Sequence, residues 1–154
     1  MAEVPAQWKT LSKKLSDASI AGKLQMSFPS DAKHAPVAGE DLARTVASII
    51  SDPAQHIGKV YQLFGPEMLS YTEIGVMIGK ILGKDISYEQ VSVQEMADSI
   101  GLGSSDYFKK HVANTQGDNI FGAPDFNNKI EEITGMPPMS FADFIEKNRL
   151  AFTS

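Results

Sequence analysis

Several side chains that can move protons lie close together in one short stretch of the sequence. Asp106, Tyr107, Lys109 and His111 fall on a predicted helix, and Tyr107 and His111 are four residues apart, so they share one face. A histidine of ordinary pKa exchanges protons at neutral pH, and a tyrosine can donate to a developing oxyanion. Together with His34, these residues predict acid/base catalysis by Asp106, Tyr107, His111 and His34. The alternative, an amphipathic helix with a solvated histidine, is more common for this spacing.

Large apolar side chains that could enclose a ligand recur through the chain. Binding sites for small molecules are mostly apolar and contain a few polar groups. The sequence therefore predicts a substrate pocket lined by apolar side chains, with the alternative that they form core. The predicted lining residues are Met26, Phe28, Met96, Phe108 and Phe121.

Other kinds of site have little support. The chain has no cysteine, and its three histidines lack metal-ligand spacing, so no metal site is predicted. The Gly101-Leu102-Gly103 stretch follows a helical pattern, with Asp106 where a dinucleotide fingerprint would have its third glycine. We interpret it as a helix stop and predict no bound cofactor. Asp41 is interpreted as a charge at a helix N-terminus rather than as a catalytic base.

Composition limits the class of protein. The chain has 154 residues, 42% of them hydrophobic, and a net charge of −5, which predicts one globular domain over residues 1–154 and argues against nucleic-acid binding. No apolar run approaches the roughly 20 residues of a membrane span. The first residues lack a secretory pattern. We expect a cytoplasmic protein without membrane contact.

Strands and helices alternate in the predicted structure. Val60–Phe64 is an apolar run typical of a strand buried on both faces, and Leu24–Phe28 and Ile86–Val91 are two further strand candidates. Capping boxes at Ser70 and Ser92 each start a helix. These patterns predict an α/β fold with a sheet of about two or three strands, followed by a mainly helical C-terminal part.

One predicted helix lies between the first two strand candidates. It runs from Asp41 to about Ser51, and its apolar residues are expected to face inward: Leu42, Val46, Ile49 and Ile50. Two or three strands are too few for a doubly covered sheet. We therefore expect a homo-oligomer completed through the Val60–Phe64 strand.

Three stretches carry a resemblance to a known family: VAGEDLARTVASIISDP, GKVYQLFGPEMLSYTEIGVMIGKILGKDISY and KIEEITGMPPMSFADFIEKNRLAF. In this order they resemble the C-terminal half of NmrA-like proteins, which are atypical short-chain dehydrogenases/reductases, and in style the festuclavine-dehydrogenase-like members. The resemblance implies an α/β fold with a partial Rossmann-type sheet, a late sheet strand with a Gly-Pro-Glu turn, and a mainly helical C-terminal substrate lobe. The family's Gly-rich N-terminal half has no counterpart in this sequence.

Three functions follow from these observations. The first is a small-molecule enzyme or binder acting on an apolar metabolite without a cofactor, by isomerisation, cyclisation or elimination with acid/base assistance. The second, implied by the resemblance, is the C-terminal part of an oxidoreductase in which NADP is bound with a partner chain. The third is a non-catalytic sensor or interaction module.

Overall fold

The computed structural model describes residues 22–117 and 126–152, which form short strands and six α-helices. The described residues also form two 3₁₀ turns, Pro53–Gln55 and Arg149–Phe152. In chain order the elements are β1 (Lys23–Met26), β2 (Lys33–His34), α1 (Gly39–Ser51), β3 (Leu69–Ser70), α2 (Tyr71–Leu82), β4 (Ser87–Gln90), α3 (Val93–Ser99), α4 (Asp106–Gly117), α5 (Lys129–Thr134) and α6 (Phe141–Lys147).

Strands β1 and β4 form a small parallel sheet, with Leu24 opposite Tyr88 and Met26 opposite Gln90. Strands β2 and β3 pair antiparallel, which places His34 opposite Leu69. The prediction of an α/β fold with a partial Rossmann-type sheet is confirmed. Two of the three predicted strands are present, each slightly shorter than its apolar run.

Helix α2 is the central element of the core. Ser70 and Glu73 form the predicted capping box, and Gly83 ends the helix in the left-handed conformation at φ 68°. The buried face of α2 packs in one cluster with side chains from β1, the chain before β4 and the C-terminal elements. This cluster contains Leu24, Leu69, Ile74, Ile78, Leu82, Ile86, Ile145 and Phe152.

Two glycines let α2 approach the chain that leads into β4. A Cβ atom on Gly79 would lie 2.7 Å from the carbonyl oxygen of Lys84, which is too close for any side chain. A Cβ on Gly75 would be 3.6 Å from the Ile86 carbonyl oxygen, an ordinary contact. The sequence spacing of these two glycines therefore sets how closely the helix and the strand pack.

The prediction of a buried strand at Val60–Phe64 is wrong for the described structure. The segment belongs to no sheet among the described residues, and Val60 is 93% exposed. A strand needs a neighbour that supplies ladder hydrogen bonds, and the described part of the chain places none beside this segment. Its far end is anchored by the Gly65 amide, which donates to the Ala35 carbonyl oxygen at 3.4 Å.

The predicted orientation of helix α1 is also wrong. Leu42, Val46 and Ile50 face solvent, with exposed fractions of 41%, 53% and 71%. The inward face is largely polar, and its central residues Asp41 and Thr45 are buried where α1 packs on α5. Hydrogen bonds made by this polar face hold the helix in this orientation.

The remaining predicted elements agree in part. Gly101, at φ 69°, follows α3 as expected of a helix stop. The polar, glycine-containing stretch Asn114–Pro124 predicts a loop. It is helical up to Gly117, and its remainder lies outside the described residues. The N-terminal helix predicted by the spacing of Trp8, Leu11 and Leu15 lies outside them as well. The spacing of Phe126, Ile130 and Ile133 predicts a helix that starts at Asp125, and this helix begins at Lys129. None of the helices in residues 22–117 and 126–152 has the length and apolarity of a membrane span.

Candidate functional site

Four rings pack together at one end of the parallel sheet, and we call them the aromatic cluster: Phe28, His34, Tyr71 and Tyr88. Tyr71 is central. Its ring centroid lies 5.3 Å from that of Phe28, with the planes 7° apart, and 4.8 Å from that of His34. The centroid of the Tyr88 ring lies 5.6 Å from that of Tyr71. Such spacings are typical of favourable stacked pairs.

The main elements of the fold place these rings. Phe28 follows the carboxyl end of β1, and Tyr88 lies in β4, where its hydroxyl donates to the carbonyl oxygens of Met26, at 3.1 Å, and of Phe28. Tyr71 is the first residue of α2, directly after its cap, and His34 lies in β2. In open α/β sheets, ligands bind beyond the carboxyl ends of parallel strands. The aromatic cluster occupies that position beside β1.

The aromatic cluster is uncharged at neutral pH. Burial, with a smaller contribution from the neighbouring Tyr88, raises the pKa of Tyr71, and burial raises the pKa of Tyr88 to about 12. Burial also lowers the pKa of His34 below its usual 6.5. The tyrosine hydroxyls therefore remain donors, and His34 is a neutral imidazole. Stacked apolar faces with a few neutral polar atoms suit an uncharged, apolar ligand.

Four of the five predicted substrate-binding residues lie beside the aromatic cluster. Met26, Phe28, Met96 and Phe108 belong to one apolar group with Tyr71. Phe28 and Met96 are 8% and 6% exposed, so these two also serve as core, the alternative reading of the sequence. Phe121 lies outside the described residues.

The predicted catalytic residues occupy two separate places. Helix α4 turns Phe108 inward and leaves Tyr107 83% exposed. His111 is also exposed, and the Asp106 carboxylate pairs with Lys109 at 3.1 Å. His34 belongs instead to the aromatic cluster. Sequence spacing correctly put Tyr107 and His111 on a common surface of α4, and that surface faces solvent.

A polar groove lies on another part of the surface, where α1, the following turn and α5 meet. Its centre is a hydrogen bond of 2.8 Å between His56 Nδ1 and the Tyr61 hydroxyl. The groove has a volume of about 410 Å³ and carries both charge signs. No sequence motif marks this groove, although Tyr61 follows His56 by only five positions across a turn at Gly58. The groove is lined by Ser48, Asp52, Gln55, His56, Lys59, Tyr61, Lys129, Glu132 and Ile133.

Asp41 has a structural role. One carboxylate oxygen accepts from the Met139 amide at 2.7 Å, and the other accepts from Arg44 Nε at 2.9 Å. Arg44 also donates to the carbonyl oxygens of Met136 and Pro137, at 2.9 and 2.8 Å. Both oxygens of Asp41 are therefore used in joining the first turn of α1 to the chain between α5 and α6.

No group of three or more potential metal-ligating side chains occurs among residues 22–117 and 126–152. The space beside Gly103 is filled by the Asp98 carboxylate, 1.7 Å from where a Cβ would be. The chain's single G-x-G stretch therefore lies beside a carboxylate, which disfavours a pyrophosphate through like-charge repulsion.

Comparisons with known proteins agree with this architecture. No protein-family model matches the chain. It is 27% identical over 128 residues to a festuclavine dehydrogenase of Aspergillus fumigatus, a match that covers 80% of this chain and 43% of that protein. It is 25% identical over 126 residues to an agroclavine dehydrogenase of Claviceps fusiformis, a match that covers 80% of this chain and 43% of that protein.

Among solved structures, the NADPH-dependent quinone oxidoreductase QOR2 of Escherichia coli, complexed with NADPH, superposes with a TM-score of 0.72 at 23% identity. That superposition covers 92% of this chain and 50% of the reductase. The chain is similar to the C-terminal half of an NmrA-like protein. It spans about half the length of the relatives that it matches.

Proposed function

We propose that the chain is the substrate lobe of a reductase or dehydrogenase that acts on a small apolar molecule. The observation that carries the proposal is the aromatic cluster, which is neutral and lies beyond the carboxyl end of β1. His34, Tyr71 and Tyr88 are only partly buried, so their outer edges can contact a ligand. The names of the relatives, dehydrogenases of festuclavine and agroclavine and an NADPH-dependent quinone oxidoreductase, support a redox reaction of the whole assembly.

The proposal assigns the nicotinamide nucleotide to the other half of the fold. The stretch at Gly101–Gly103 carries the Asp98 carboxylate beside it, and the chain spans about half of each relative. The present chain then binds and orients the substrate through the rings of the aromatic cluster. Hydride transfer belongs to the completed protein.

Acid/base isomerisation or cyclisation by Tyr107 and His111 stays a prediction. Both side chains are exposed to solvent. A substrate beside them would not be held in place while a proton is transferred. A sensor without turnover also stays a prediction. Ligand binding in the absence of reaction, in the completed protein, is its distinguishing result.

The experiment is calorimetric titration of the purified chain with agroclavine and, separately, with NADPH. We expect agroclavine to bind, and Tyr71→Ala to weaken binding by about tenfold, because a stacked aromatic pair contributes about 0.5–1.5 kcal/mol beyond its buried area. We expect no NADPH binding. Circular dichroism establishes that the variant is folded.

Tyr107→Ala is the matched control, since it removes the same side chain from an exposed position on α4. Loss of agroclavine binding in Tyr107→Ala together with normal binding in Tyr71→Ala would move the site to α4 and overturn the proposal. Stoichiometric NADPH binding by the isolated chain would show that the nucleotide site had been assigned to the wrong half.

A further inference from the structure

Tyr71 contacts each of the other three rings of the aromatic cluster. It stacks on Phe28 and on Tyr88, with the ring planes 7° and 24° apart, and it meets the His34 ring at a tilt of 31°. Neighbours of this kind hold the side chain in one direction. A binding group that is already ordered loses less freedom when a ligand arrives, which favours binding.

The backbone of Tyr71 is also held in place, because this residue is the first of α2 and lies inside the capping box. The Ser70 amide donates to the Glu73 carboxylate at 2.7 Å, and the Glu73 amide donates to the Ser70 hydroxyl at 3.2 Å. These two hydrogen bonds flank Tyr71 in the sequence. The fold therefore sets both the position and the direction of the Tyr71 hydroxyl before any ligand binds.

The hydroxyl groups of the two tyrosines differ in what they bind. That of Tyr88 donates to the carbonyl oxygens of Met26 and Phe28, so its proton is already used. Among the described residues, the Tyr71 hydroxyl forms no hydrogen bond, and it is not one of the buried polar atoms that lack a partner. It therefore reaches solvent, and it can donate its proton to a ligand.

The ligand atom that suits this hydroxyl is an uncharged acceptor. Burial raises the pKa of Tyr71, so the hydroxyl keeps its proton at neutral pH and acts as a donor. The same burial disfavours a negative charge beside the ring, which argues against a carboxylate on the ligand. A carbonyl oxygen can accept this hydrogen bond while the apolar part of the ligand contacts the aromatic rings.

We propose that Tyr71 determines ligand specificity by donating a hydrogen bond from its hydroxyl to the carbonyl oxygen of an uncharged ring compound bound at the aromatic cluster. The place of the site rests on the proposed function, and the inference adds the chemical class of the ligand. A site that offers a hydrogen bond selects against an analogue that lacks the partner atom, because the donor then stays unpaired.

The test compares 1-tetralone with tetralin, two fused-ring molecules that differ by one carbonyl oxygen. Their dissociation constants are measured by NMR titration of the purified chain and of Tyr71→Phe, which keeps the ring and removes the hydroxyl. We expect the variant to bind 1-tetralone about two- to tenfold more weakly, the contribution of one neutral hydrogen bond, and to bind tetralin as the wild type does. Since this hydroxyl has no partner in the described structure, the variant should keep the wild-type urea midpoint.

Tyr107→Phe is the matched control, because it removes the same hydroxyl from an exposed position on α4 and should change neither affinity. An equal effect of Tyr71→Phe on both ligands, no effect on either, or an equal loss of 1-tetralone affinity in the two variants would overturn the proposed hydrogen bond. In each of these cases an apolar binding site would still stand. If the wild-type chain binds neither ligand, the proposed substrate lobe fails as well, so the two failures are distinguishable.

Discussion

Replacing Asp41 by alanine should remove the group that ties the first turn of α1 to the chain between α5 and α6. The Asp41 side chain is 5% exposed and that of Arg44 is 19% exposed. Alanine leaves the Met139 amide without its acceptor at 2.7 Å and leaves the Arg44 guanidinium without its counter-charge. We expect a large loss of stability.

The magnitude follows from these two contacts. A buried backbone donor without a partner costs about 1–3 kcal/mol, and a hydrogen bond to a charged group contributes about 1.5–3 kcal/mol. Together they predict a loss of about 3–5 kcal/mol, the usual range for breaking a buried ion pair. That is a large fraction of the 5–15 kcal/mol typical of a folded domain.

Urea unfolding followed by circular dichroism measures this change. Asp41→Asn, which keeps one acceptor oxygen, should lose an intermediate amount. Glu40→Ala is the control, because Glu40 lies in the same helical turn but forms an exposed ion pair with Lys147 worth at most about 1 kcal/mol. If Asp41→Ala and Glu40→Ala reduce the free energy of unfolding equally, the reasoning from burial is refuted.

Three further changes test the fold. Gly79→Ala should lower the free energy of unfolding by about 1–3 kcal/mol, because its Cβ would lie 2.7 Å from the Lys84 carbonyl oxygen. Gly75→Ala, whose Cβ meets no atom closer than 3.6 Å, should not, and equal losses would contradict this packing. Ser70→Ala should cost about 1 kcal/mol, and an unchanged urea midpoint would remove its capping role. Because burial raises the pKa of Tyr88 to about 12, the unfolded chain ionises first, so stability should fall from pH 10 to 12. Tyr88→Phe should reduce that fall, and an unchanged pH profile would contradict it.

Local signals predicted the local structure well. The capping boxes at Ser70 and Ser92 were predicted because each depends on residues within one turn of chain. The strands β1 and β4 were also predicted from their own residues. The confirmed fold class follows from the order of these elements.

The wrong predictions concern contacts between residues far apart in the chain, which local sequence patterns do not encode. The apolar period of α1 was read correctly, but which way the helix faces depends on Asp41 binding Met139, 98 residues away. The candidate site was predicted in part for the same reason. Phe28 and His34 were chosen from the sequence, whereas Tyr71 and Tyr88 join them through stacking and through hydroxyl bonds to the chain after β1.

The exposed apolar residues of α1 also affect the steady-state abundance of this chain in a cell. Anything that binds only the folded chain raises its stability by RT ln(1 + [L]/Kd), about 2.7 kcal/mol at a hundredfold excess over Kd. Without an occupant, the same face is an apolar patch open to chaperones and to aggregation. Steady-state abundance of the chain should therefore rise with the concentration of any molecule that covers this face of α1.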